Sequence, residues 1–320
     1  MKSGIVFAAA FVGGALLLGP QTEAGSRSII DDRGVEVEVP DAPKRLASLS
    51  YFATDVALAL GIQPVATSYM VANRHPDFLL GKTADMVQLG QRAKPNLEVL
   101  SEAAPDLIVA IRRHTEANAE QLQSIASYLA YDQVLLESSF DDTAELSEIL
   151  GKPERGRKLN ADFRALLADV AEKAPKDTHP SFVVMWGGKS PFAFHTENTT
   201  AGILSAIGGE NVMGPMSPGG KFGMEVGLET LLDKNPDVIF VYDYGAGSMY
   251  ETSPAWQLLF AVKNDRVHYV SDHWVEANGP IARQVVLLQA AHYLYPDVFK
   301  DIDVWAEAAR IIQDEAVVPH

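Results

Sequence analysis

The chain is expected to fold as α/β, with two Rossmann-like lobes joined by one long rigid α-helix and a ligand cleft between the lobes. Three observations predict this. Short apolar runs alternate with helically periodic segments along the sequence. One amphipathic helix without Gly/Ser-rich flanks lies near the middle. A helix-turn-strand segment occurs twice, as NLEVLSEAAPDLIVA at 96–110 and GLETLLDKNPDVIFV at 227–241. Both copies fit Leu-Glu-x-Leu-x-x-x-x-Pro-Asp-[Leu/Val]-Ile without insertion.

Residues 1–24 carry one lysine, an apolar run from Gly4 to Gly19, Pro20 and a small-residue site at Ala24. This is the layout of a cleaved signal peptide, and the run is short for a membrane span. The sequence contains no cysteine. The core is therefore expected to stand without disulfides, and no cysteine is present to carry a lipid after the signal. The mature protein is expected to be free in the periplasm. A formal net charge of −16 disfavours nucleic acid and anionic membrane as partners, and makes any cluster of positive charge informative.

In the expected N-terminal lobe, 25–151, RLASLS (45–50) runs into a helix over TDVALALG that closes on Gly61. PVATSY (64–69), MVQLG (86–90), DLIVAI (106–111) and QVLLES (133–138) follow as strands, with a helix from Glu116 to Tyr128 between the last two. Residues 152–174 form the linking helix. Leu159, Phe163, Leu166, Leu167 and Val170 share one face, Pro153 suits the first turn and Pro175 stops it. At 1.5 Å per residue it spans ~30 Å. The C-terminal lobe, 175–320, restarts with FVVMW (182–186), a helix near 200–208, VIFVYD (238–243), RVHYVS (266–271) and a helix from Pro280 to Tyr295.

Ligands of open α/β sheets bind beyond the carboxyl ends of the strands. That rule selects Tyr51, the segment from Tyr69 to His75, Arg92, Arg112, Arg113 and His114 from the first lobe, and Trp186, Tyr242, Tyr244 and Trp274 from the second. Guanidinium groups bind carboxylate, hydroxamate or catecholate oxygens in pairs, and aromatic faces wall off a bulky ligand. Arg112 and Arg113, adjacent at an extended end, point to opposite sides, so one of them faces the cleft. The competing reading is that these are solvated loop arginines and core aromatics. His268, His273 and Glu276 lack the spacing of a helical histidine pair and read as structural. No Gly-x-Ser-x-Gly or His-Glu-x-x-His occurs, so the chain is not expected to be an enzyme; a secreted α/β enzyme is the alternative of another class.

On these segments the chain resembles the metal-chelate class of ABC-transporter substrate-binding proteins. The most specific stretches are LGQRAKPNLEVLSEAAPDLIVA and SAIGGENV (205–212). The resemblance implies capture of a ferric siderophore or ferric citrate by a monomeric carrier, and delivery to a permease dimer in the inner membrane. Haem and cobalamin carriers of the same family are the alternative. No resident cofactor is implied, because the iron arrives inside its chelate. In that family the glutamates at the two repeated positions form salt bridges to permease arginines, which assigns Glu98 and Glu229 to docking. The plainer reading is that both sit well beside a helix N-terminus. Arg92 stands where similar hydroxamate-siderophore binders carry a ligand-binding arginine.

Overall fold

The computed structural model describes residues 25–72, 74–216, 221–245 and 247–313; the expected signal peptide, 1–24, lies outside the described residues. The first lobe opens with an antiparallel hairpin, β1 (Ser26–Ile30) and β2 (Glu36–Pro40). Then come β3 (Leu46–Leu49), α1 (Tyr51–Ala59), β4 (Ala66–Tyr69), β5 (Val87–Gln91) and α2 (Leu97–Glu102). β6 (Leu107–Ile111), α3 (Arg112–Thr115), α4 (Ala119–Gln123) and β7 (Ser127–Tyr131) complete it. Its five-stranded sheet is parallel throughout, in the order β5-β4-β3-β6-β7. β3 and β6, at the centre, are buried along their whole length, as a parallel sheet covered on both faces requires. α1 is buried at every position, which suits a helix without a polar face.

Two helices, α5 (Leu136–Ile149) and α6 (Pro153–Lys173), connect the lobes. α6 is the expected linking helix, 21 residues long, with Pro153 in its first turn. It buries Leu159, Phe163 and Val170 together with Asn160 and Gly156. Gly156 allows the close approach of α5, since a Cβ there would stand 2.3 Å from the Ser147 hydroxyl.

The second lobe contains β8 (Ser181–Trp186), β9 (Phe192–Phe194), α7 (Thr199–Ala206), β10 (Glu210–Asn211), β11 (Gly223–Glu225) and α8 (Leu228–Lys234). β12 (Val238–Tyr242), α9 (Phe260–Lys263), β13 (Val267–Val270), α10 (Pro280–Leu294) and α11 (Val304–Gln313) follow. The sheet runs β11-β9-β8-β12-β13, with β10 beside β8; β8, β12 and β13 are parallel, while β9 and β11 are antiparallel. α10 packs against α1, α6 and α7, so both lobes share it. Asp55 of α1 fixes its start: the carboxylate accepts the N–H groups of Ile281 and Ala282, each at 2.8 Å. Burial nevertheless raises the Asp55 pKa to about 7.

The repeated segment becomes α2-turn-β6 in one lobe and α8-turn-β12 in the other. The residue before each proline, Ala104 and Asn235, takes a left-handed φ of 45° and 43°. Proline disfavours the right-handed helical region for its predecessor, so the helix ends there. Each aspartate then pins the neighbouring central strand. Asp106 accepts the N–H groups of Lys44 and Arg45 at 2.7 and 2.9 Å, ahead of β3. Asp237 accepts the N–H and hydroxyl of Ser181, both at 2.8 Å, at the start of β8.

Two expected elements differ. QVLLES is a loop at 133–135 that runs into the first turn of α5, and Gln133 adopts a left-handed φ of 52° that no strand accommodates. The last strand of the first lobe is instead SYLAY, 127–131, whose first two residues fall in the expected helix; pairing with β6 overrides the local pattern.

Candidate functional site

A cavity of about 390 Å³ opens at the carboxyl ends of the two sheets. Arg92, Arg113, His114 and Gln133 line it from the first lobe, and Trp186, Phe192, Asn198 and Phe222 from the second. The Arg92 N–H donates to the Tyr69 carbonyl at 3.1 Å, so the side chain leaves the sheet just beyond β5. Its guanidinium, 5% exposed, is ion-paired with Glu276 of the second lobe, itself 1% exposed. The other Glu276 oxygen accepts the Tyr51 N–H at 2.7 Å. Burial, aided by Arg113, lowers the Arg92 pKa to about 10, which leaves it charged at neutral pH.

Arg113 sits differently. It donates to the Asp132 carbonyl at 2.9 Å and lies 5.2 Å over the Phe222 ring, a cation-π contact across the cavity. Among the described residues it has no carboxylate ion pair. Burial lowers its pKa to about 10 as well. Burial, with Arg92 and Arg113 close by, pulls His114 down to about 3, so this imidazole is neutral. Gln133, 4% exposed, has no hydrogen-bond partner for either amide atom. His114 Nε2 and the Trp186 indole N–H are also buried without partners.

Beside the cavity, Asp272 ties the lobes together. It accepts the Tyr51 hydroxyl at 3.1 Å, the Tyr242 hydroxyl at 2.7 Å and the Arg74 guanidinium. Arg74 also donates to the Asp243 carbonyl at 2.7 Å and to the Tyr242 hydroxyl at 3.1 Å. Burial first, then the Asp272 charge, raises the pKa values of Tyr51 and Tyr242, so both remain phenols.

Of the residues selected from the sequence, Arg92, Arg113, His114 and Trp186 line the main cavity. Tyr242 and Tyr244 border an adjacent hollow of about 90 Å³. Tyr51 is buried at the lobe junction, its hydroxyl used up between the Met70 N–H and Asp272. Trp274 is core: it stacks on Phe240 at 4.6 Å and donates its indole N–H to Gln289. The strand-end rule located its segment, but the helical turn Asp272–Trp274 directs the indole inward. Arg112 is on the surface, paired with Glu116 at 3.1 Å and Asp132 at 3.6 Å. Arg112 and Arg113 open α3 rather than extend β6, so their side chains diverge by about 100°. His273 bonds to Gln289 at 2.8 Å, and His268 stacks on Tyr293 at 4.1 Å. Sequence reasoning missed Gln133, Asn198, Phe192 and Phe222; only the local clustering of Phe192 and Phe194 hinted at an aromatic wall.

Glu98 and Glu229 are exposed, each in the first turn of its helix. Neither has an ion pair among the described residues. The Glu98 N–H is held by the Asn96 side chain at 3.1 Å.

Residues 46–273 match the family described as periplasmic binding protein. The chain is 28% identical over 276 residues to the Fe(3+)-citrate-binding protein YfmC of Bacillus subtilis, covering 82% of this chain and 84% of the relative. It is 26% identical over 275 residues to the Fe(3+) dicitrate-binding periplasmic protein FecB of Escherichia coli, covering 82% and 88%. The crystal structure of Staphylococcus aureus SirA with staphyloferrin B superposes with a TM-score of 0.67 at 25% identity, covering 86% of this chain and 97% of that one. The chain belongs to the periplasmic binding protein family.

Proposed function

We propose that this periplasmic binding protein captures a ferric chelate, a siderophore or ferric citrate, between its lobes and delivers it to an inner-membrane ABC importer. The observation that carries this reading is the cavity itself, where two guanidinium groups of one lobe, Arg92 buried and Arg113 exposed, face an aromatic wall from the other. The relatives named as ferric-citrate binders support the substrate class. Capture needs no covalent step. Arg113 offsets chelator charge, Trp186, Phe192 and Phe222 exclude water, and the lobes, joined by α6 and by shared packing on α10, close over a small range.

Glu98 and Glu229, exposed at equivalent places on the two lobes, fit a permease with two similar halves. An exposed ion pair contributes about 0–1 kcal/mol, so such contacts orient the carrier more than they hold it. The carrier acts as a monomer, freed into the periplasm by cleavage after Ala24, with no cysteine to anchor it. The test is tryptophan fluorescence of the mature protein titrated with ferric chelates, iron-free chelators, haem and cobalamin. Saturable quenching by a ferric chelate supports the reading. Silence in fluorescence and calorimetry alike overturns it.

A further inference from the structure

Positive charge at the cavity is smaller than its arginines suggest. Arg92 is neutralised inside the protein by Glu276, which is fixed from its other side by the Tyr51 N–H. Arg74, at the lobe junction, is matched by Asp272. His114 is uncharged beside two guanidinium groups. Among the described residues that line the cavity, Arg113 is the cation without a carboxylate partner. A ligand therefore meets about one usable positive charge.

Polar capacity, by contrast, is in surplus. His114 Nε2, the Trp186 indole N–H and both ends of the Gln133 amide are buried at this one cavity with no hydrogen-bond partner, as is the Nε of the ion-paired Arg92. A buried polar atom without a partner is costly, and most such atoms in proteins are satisfied. Gln133 adds backbone strain, since a residue with a Cβ rarely adopts its left-handed φ. These costs are concentrated where a ligand would offset them. The set is also mixed in kind. The indole only donates, whereas the Gln133 oxygen only accepts and asks the ligand for an N–H or O–H.

From this pairing of one free cation with a ring of neutral donors and acceptors, we infer that the cleft selects ferric chelates of low net charge that bear amide or hydroxyl groups, over polyanionic chelates. The inference rests on the capture reading and narrows it. A polyanion would bring several charges to a cavity where Arg113 alone is free to pair with them, and charge left without a partner is disfavoured as the lobes enclose it. Glu276 reinforces the choice. It occupies the position of a counter-ion to Arg92 and repels a second anion, a repulsive element of the kind that specificity requires.

The experiment titrates the mature protein, by fluorescence and calorimetry at two ionic strengths, with ferrichrome, an uncharged trihydroxamate rich in amides, and with two polyanions, ferric citrate and the tris-catecholate ferric enterobactin. Ferrichrome is expected to bind at least about tenfold tighter than either polyanion, with little dependence on salt. A smaller preference, or tighter binding of a polyanion, overturns the charge selection and leaves capture standing. Failure of all three overturns capture itself. Glu276→Gln is expected to narrow the preference by about tenfold by freeing the Arg92 charge; an unchanged ratio in the folded variant removes Glu276 from selection. Gln133→Leu is expected to weaken ferrichrome about tenfold while sparing the polyanions, and equal losses for all three would reduce Gln133 to a packing role.

Discussion

In the first lobe the repeated segment turns at Ala104-Pro105-Asp106, and in the second at Asn235-Pro236-Asp237; both aspartates then pin a central strand, and both segments carry an exposed glutamate in the first turn of their helix. At the cavity this likeness ends. The first lobe contributes Arg92, Arg113, His114 and Gln133, whereas the second contributes Trp186, Phe192 and Phe222, and supplies Glu276 as the partner of Arg92. The difference teaches that repetition here serves what is built twice: strand anchoring and, in the proposed function, docking to a two-fold permease. At the cavity nothing is built twice, and the residues of the two lobes differ in kind.

The largest effect expected from breaking this comparison is on uptake. Glu98→Ala with Glu229→Ala should abolish import of the ferric chelate in cells while ligand titration of the purified protein stays unchanged. Normal import in the double variant would separate the repeat from docking. Next in size, Arg113→Ala should weaken chelate binding more than about tenfold, at least ~1.4 kcal/mol, whereas Arg112→Ala next to it should leave calorimetric affinity unaltered. Equal losses would mean that both arginines reach the ligand.

A third test concerns pH. Asp55 and Asp142, in the first lobe and on α5 beside it, are pushed by burial to about 7 and about 8; for Asp142 the nearby Asp32 charge adds to this. A folded-state pKa above the unfolded value means that the native state holds the proton in that window. This contribution to stability is therefore full below about pH 4, the range of an unfolded aspartate, and lost as pH rises toward 8. Asp142→Asn should raise the melting temperature at pH 9 and leave it nearly unchanged at pH 4; no gain at pH 9 would refute the assignment. The smallest effect lies at the two turns. Ala104→Gly, relieving a left-handed alanine, should stabilise by roughly 0.5–1 kcal/mol in denaturant unfolding. Asn235→Ala should destabilise by more than Ala104→Gly stabilises, because Asn235 also accepts the Phe260 N–H at 2.8 Å. A loss at position 104 would show that its methyl contributes packing that outweighs the strain.

Much of the scaffold was legible because its signals are local. Apolar runs marked β3, β4, β5, β6, β8, β12 and β13 to within a few residues, and Pro153 and Pro175 bracketed α6. β7 was misread because SYLAY, buried without alternation, carries no period of its own and becomes a strand only beside β6. At the site, the strand-end rule found the right height in the fold but not the direction of each side chain. Trp186 reached the cavity, while Trp274, chosen by the same rule, turned into the core.

The sequence by itself determined a two-lobed α/β chain with a stiff central helix, a repeated glutamate on each lobe and arginines brought to the lobe junction. Periodicity, proline and glycine placement and motif spacing are properties of neighbouring residues, so they can be read along the chain. Only the tertiary structure decided which arginine is left to a ligand. Arg92 meets Glu276 and Arg74 meets Asp272 across the boundary between lobes, while Arg113 faces Phe222 without a carboxylate ion pair among the described residues. Charge compensation depends on distances between residues remote in sequence, and those distances exist only once both lobes have folded against α10.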